Sequence, residues 1–88
     1  MQIKKGFAKR KIGSRFIVVT TGELSKKMNI IIEMNETSSD IWDYIEKGMD
    51  ENEIAFALSE KYGISLEKAK NDASSLIEKM KEAGIFED

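Results

Sequence analysis

Neither cysteine nor histidine occurs anywhere in the 88 residues. Their absence removes disulfides, thiolate nucleophiles, imidazole bases and the usual zinc and haem ligands together. Carboxylates, lysines, hydroxyls and two tyrosines are left for catalysis. None of them recurs at a catalytic spacing, so an enzyme is not expected and no cofactor or metal is implied. Long apolar runs are missing as well, and no stretch approaches the roughly 20 residues that span a bilayer. The opening Met1-Gln2-Ile3-Lys4-Lys5-Gly6 lacks the apolar segment and small-residue cleavage site of a secretory signal. A cytoplasmic protein without a membrane partner is the expectation.

A chain of this size buries only somewhat more than about 60% of its unfolded surface and cannot support two cores. With 41% apolar and 34% charged residues it is globular rather than disordered in composition. One domain over residues 1–88 follows. Its charge is unevenly placed: residues 1–35 carry eight Lys or Arg and two acids, while residues 36–88 carry six Lys and fourteen acids. A +6 end joined to a −8 end can mark a basic arm for an acidic partner, or simply the solvated acidic faces of helices.

The basic end reads as strands. Phe7–Ile12 and Arg15–Thr21 flank Gly13-Ser14, the signature of a two-residue hairpin turn. Lys9, Arg10 and Lys11 make the first strand polar, which protects an edge from unwanted pairing; nucleic-acid contact is the sharper alternative. Residues 22–27 form a polar connection with little periodicity, and Met28–Met34 is the third strand. A three-stranded antiparallel meander leaves that strand at an edge. Yet Ile30-Ile31-Ile32 reads as burial on both faces, so either a helix or loop covers it or a partner strand completes it.

Helical periodicity takes over at Thr37. The first helix, about residues 37–47, starts from Thr37-x-x-Asp40 as a capping box, buries Ile41, Trp42 and Ile45, and stops at Gly48. The second, residues 51–62, is capped by Asp50-x-x-Glu53 and places Ile54, Ala57, Leu58 and Tyr62 on one face, with Phe56 off it. Acids at Asp50, Glu51 and Glu53 suit the helix dipole and lack a calcium-loop pattern. The third and longest, residues 65–83, starts at Ser65, carries Leu66, Ala69, Ala73, Leu76, Ile77 and Met80 on its apolar stripe and stops at Gly84. Ile85 and Phe86 are expected to return to the core. Beside the stripe runs a polar row of Lys68, Asp72, Ser75 and Lys79.

Three strands followed by three helices give an α+β fold of winged helix-turn-helix-like shape. DNA binding is the obvious hypothesis for that shape. The third helix, however, holds four Lys against four acids and no Arg, poor equipment for a polyanion. A DNA-binding regulator stands as the alternative reading, with nucleic acid not the expected partner.

Three blocks carry a resemblance: Met34-Asn35-Glu36-Thr37-Ser38-Ser39-Asp40-Ile41-Trp42-Asp43-Tyr44-Ile45; Glu53-Ile54-Ala55-Phe56-Ala57-Leu58-Ser59-Glu60-Lys61-Tyr62; and Asp72 followed by Leu76 and Met80-Lys81-Glu82-Ala83-Gly84-Ile85. In that order, over about residues 7–86, they resemble the PqqD family, whose members recognise precursor peptides of ribosomally made, modified natural products. The resemblance implies a non-catalytic peptide-binding adaptor, a RiPP recognition element. It would take the precursor's leader as an added strand in a groove between the third strand and the third helix. It would then present that leader to a maturation enzyme, commonly a radical SAM protein. The implied peptide contacts are Met28, Asn29, Ile30, Ile31 and Ile32 along the edge, with Lys68, Asp72, Ser75, Leu76 and Lys79 along the helix. Asn35–Trp42 reads as cap and core and is not nominated for contact. The open edge also permits self-pairing, so a monomer or weak homodimer is expected.

Overall fold

In the computed structural model, which describes residues 1–87, Gly13 has φ +63° and joins β1 (Phe7–Ile12) to β2 (Arg15–Thr20) through a two-residue turn. Positive φ at the first turn position alone is the type II′ pattern, whose twist matches the flanking strands. β3 (Ile31–Met34) completes an antiparallel sheet of order β1-β2-β3. Pairing of Lys9 with Val18, Val18 with Ile32 and Phe16 with Met34 puts these residues on one face. That face meets the helix α2 (Glu36–Glu46), on which α3 (Glu51–Tyr62) and α4 (Leu66–Glu82) pack.

Strand alternation resolves the triple isoleucine. Ile30 and Ile32 are half-buried, but Ile31 is 72% exposed. The run is therefore not buried on both faces, as its composition suggests; it is a one-faced edge strand with an isoleucine in water.

The connection at residues 22–27 proves to be a short helix, α1 (Gly22–Lys27), that buries none of its residues. Without an apolar stripe it has no periodic signal. Its charges suit the dipole, with Glu23 in the first turn and Lys26 and Lys27 in the last. Met28 caps it, donating its N–H to the Leu24 carbonyl at 2.9 Å. The third strand accordingly starts at Ile31 rather than at Met28.

Helix starts follow side-chain capping. Asn35, not Thr37, caps α2: its Oδ1 accepts from the Ser38 N–H at 2.8 Å. Asp40 instead accepts from Lys61 and Tyr62 of α3, tying the two helices together. The Asp50–Glu53 capping box and the Ser65 cap stand as expected.

Trp42 is the largest buried side chain, 1% exposed, and the Phe7 ring meets it edge-on at 5.7 Å. Around it lie Val18, Met34, Ile41, Ile45, Ile54, Leu58, Ile77 and Met80. Ala55, Ala69 and Ala73 are fully buried and let α3 and α4 approach closely. On α3 the buried alanine is Ala55, whereas Ala57 stays half-exposed. Leu66 leaves the stripe for solvent, and Phe56 is exposed as its position implies.

The C-terminus does return. Ile85 is fully buried, and Phe86 forms an antiparallel bridge with Ile3. The Lys4 N–H donates to the Ile85 carbonyl at 2.9 Å and the Glu87 N–H to the Gln2 carbonyl at 2.8 Å, so the two ends clasp each other. Lys9 differs from the expected solvent-facing guard. It turns toward the helices, where its Nζ donates to Ser39 Oγ at 2.7 Å and meets Asp43 Oδ1 at 2.5 Å. Among the described residues no helix is long and apolar enough to cross a membrane.

Candidate functional site: a strand edge beside a helix trough

Among the described residues β3 has a strand neighbour on one side only. The Thr20 N–H donates to the Ile30 carbonyl at 3.3 Å, and the Ile30 N–H reaches Thr20 Oγ1 at 3.4 Å. Ile30 therefore directs its backbone groups toward β2. Antiparallel ladders alternate, so Ile32 and Met34 do the same, and Ile31 and Glu33 present their N–H and C=O groups outward. These outward groups form the open edge.

Where β3 ends lies a trough of about 310 Å³ between the start of α2 and α4, lined by Asn35, Thr37, Ser38 and Ile41 on one wall and Lys68, Asp72, Ser75, Leu76 and Lys79 of α4 on the other. The spacing of the α4 residues places them on one helical face. From Lys68 to Lys79 the helix axis advances about 16 Å at 1.5 Å per residue, the length of about five residues of extended chain. Asn35, which directly follows β3, lines this trough. At the other end the Met28 Cε lies 4.0 Å from where a Cβ on Gly84 would sit. The segment from Met28 to Asn35 thus has its first end near the C-terminus of α4 and its last at the trough, so it runs opposite to α4 in direction.

All five helix residues named from the sequence come together in this one trough. The five strand residues do not line it. Met28 belongs to the cap of α1, Asn29 is exposed, Ile30 and Ile32 face the core side, and Ile31 alone of the five combines an outward backbone with a place in the named strand. Glu33, the second outward residue, is missing from the expected set. So are Asn35, Thr37, Ser38 and Ile41. A sequence signal for the last three exists: Thr37 and Ser38 precede Ile41 by four and three residues and share the edge of its apolar face.

The trough's charges are not equivalent. Lys68 and Asp72 pair with each other at 3.4 Å. Lys79 has no ion pair among the described residues. Thr37, Ser38 and Ser75 add hydroxyls, and Leu76, half-buried, is the apolar element of the α4 wall.

Residues 21–85 match the family described as Coenzyme PQQ synthesis protein D (PqqD). The chain belongs to the PqqD family. The matched segment is narrower than the resemblance over residues 7–86: it begins after β2 and leaves out the first hairpin, while including β3, the trough and α4. Among solved structures, "TbiB1 in Complex with the TbiA(beta) Leader Peptide" has a TM-score of 0.77 at 16% identity, over 99% of this chain and 95% of that one. At that identity the likeness is one of fold. No curated protein matches the chain. Seen as a PqqD-family domain, the chain contributes the hairpin outside the matched segment to the packing of that segment, since Phe7 meets Trp42 and Lys9 meets Ser39 and Asp43.

Proposed function

We propose that this PqqD-family chain is a non-catalytic adaptor that binds the leader segment of a ribosomally synthesised precursor peptide by β-strand addition and presents it to a maturation enzyme such as a radical SAM protein. The observation that carries the reading is the juxtaposition of an open strand edge with a trough about five residues long. A strand added at Ile31 and Glu33 directs alternate side chains toward the trough. The structurally similar TbiB1 was solved in complex with a leader peptide, which supports the same reading.

Magnitudes assign the roles. Ile31 and Glu33 offer four outward hydrogen-bonding groups, each worth about 1 kcal/mol net, or about 4 kcal/mol together. That alone corresponds to a millimolar complex. Backbone pairing therefore gives register, and affinity and selectivity come from side chains in the trough. The DNA-binding alternative asks α4 to present surplus positive charge. Two of its four lysines already pair with acids of the same helix, Lys68 with Asp72 and Lys81 with Glu78.

Partner capture from native lysate with the tagged full chain, read by mass spectrometry, tests the proposal. The expected catch is a short precursor peptide together with its maturation enzyme. Amide NMR with the captured peptide is then expected to shift Ile31 and Glu33 most within the sheet. Capture of duplex DNA, or shifts confined to α3, would overturn it.

A further inference from the structure

Resting on that reading, we propose that the trough selects leaders in which an acidic side chain stands two residues from an apolar one, with Lys79 as the residue that recognises the carboxylate. The trough holds two cations and one anion, and the anion is already matched, because Lys68 and Asp72 pair at 3.4 Å. Lys79 is left as the unmatched charge on the wall. Nearby lining groups, the hydroxyls of Thr37, Ser38 and Ser75, donate to a carboxylate equally well. A basic side chain finds no free acid there.

Spacing supplies the second half of the motif. Leu76 sits three residues before Lys79, about 4.5 Å back along the helix axis. Alternate side chains of an added strand are about 6.7 Å apart, a difference that the flexible stem of Lys79 spans. The strand residue two places from the acid therefore lies over Leu76, the half-buried apolar residue of the α4 wall. At the far end the self-neutralised Lys68–Asp72 pair favours neither charge. The selected motif is an acid and an aliphatic or aromatic residue with one residue between them.

Selection of random twelve-residue peptides displayed on phage, against the full chain and four folded variants, tests this. Sequences bound by the parent chain are expected to share Asp or Glu two residues from an apolar residue, and exchanging that acid for Lys is expected to weaken binding about tenfold at low salt. Lys79→Glu is expected to shift the preference to Lys or Arg at the same position, and Lys79→Gln to abolish it. Lys70→Glu, on α4 but outside the trough, is expected to leave it unchanged. Ile31→Pro is expected to retain no binders. If binders depend on Ile31 yet show no acidic preference, or Lys79→Glu leaves that preference intact, the inference fails while strand addition stands. If no peptides bind, or Ile31→Pro binds them equally, the adaptor reading fails and the inference with it. Circular dichroism confirms that each variant is folded.

Discussion

The Thr20 amide donates to the Ile30 carbonyl at 3.3 Å, and this bond sets the phase of the whole free edge. With Ile30 turned inward, Ile31 turns outward. Proline at residue 31 removes an N–H that has no partner among the described residues, so Ile31→Pro is expected to stay folded and to lose at least tenfold in affinity for the captured leader. Proline at residue 32 removes an N–H directed at β2 and introduces a residue that sheets exclude from paired positions. Ile32→Pro is expected to lower stability by about 1–3 kcal/mol. Thermal melts and peptide titration of the two variants check this phase: equal loss of fold in both would show that it is misassigned.

Most of the α+β order was legible because it rests on local chemistry. The Gly13-Ser14 turn, the Asp50–Glu53 box, the Ser65 cap and the buried Trp42 each announce themselves within a few residues. The helix row of Lys68, Asp72, Ser75, Leu76 and Lys79 was equally legible, since a single helical face fixes which residues share it. Where the reading failed, either the local signal was missing or a distant partner decided. α1 has no stripe to reveal it, Asp40 left its supposed capping role for Lys61 and Tyr62, and Lys9 turned inward because Ser39 and Asp43 wait there. Ile31 looked buried because composition does not record strand phase.

Lys9 gives a direct test of that inward turn. Its side chain is only 19% exposed and donates to the Ser39 carbonyl at 3.2 Å as well as to Ser39 Oγ and Asp43. Lys9→Met keeps the apolar stem and removes the charge. Its expected cost is roughly 1–3 kcal/mol, because the buried Ser39 hydroxyl loses its donor, while the half-exposed Asp43 carboxylate turns to water. Arg10→Met, on the exposed face of the same strand, is expected to stay within about 0.5 kcal/mol of the parent chain. Urea denaturation separates the two, and a Lys9→Met variant as stable as the parent would return Lys9 to a surface role.

Gly6 marks the entry to the sheet, and its backbone conformation, φ +109°, is one that L side chains rarely adopt. A Cβ there would stand 2.7 Å from Leu24 Cβ. The Gly6 carbonyl also accepts from the Thr21 N–H at 2.7 Å, which fixes it against the start of α1. Gly6→Ala therefore combines strain of about 1–3 kcal/mol with a clash against a fixed atom. A fall in melting temperature of roughly 5–15 °C is expected for a domain of this size. An unchanged melt would mean that α1 shifts freely, and with it the lead-in to the β3 edge.

Alkaline pH should weaken the α2–α3 junction in a way that Tyr62 controls. Burial, reinforced by its hydrogen bond to Asp40, pushes the Tyr62 phenol from 10.0 up to about 12. In the unfolded chain the phenol ionises near pH 10. Between pH 10 and 12 the unfolded state therefore loses this proton while the folded state still holds it, and stability falls as pH rises. Below pH 10 the contribution is fully present. The Lys61 amine, raised by its own hydrogen bond to Asp40, acts in the same sense, since its attraction to Asp40 is lost when it deprotonates. Tyr62→Phe is expected to cost about 1 kcal/mol at neutral pH through the lost hydrogen bond. It is also expected to flatten the decline in urea midpoint between about pH 9 and about pH 12. A decline as steep as that of the parent chain would place the alkaline sensitivity elsewhere in the fold.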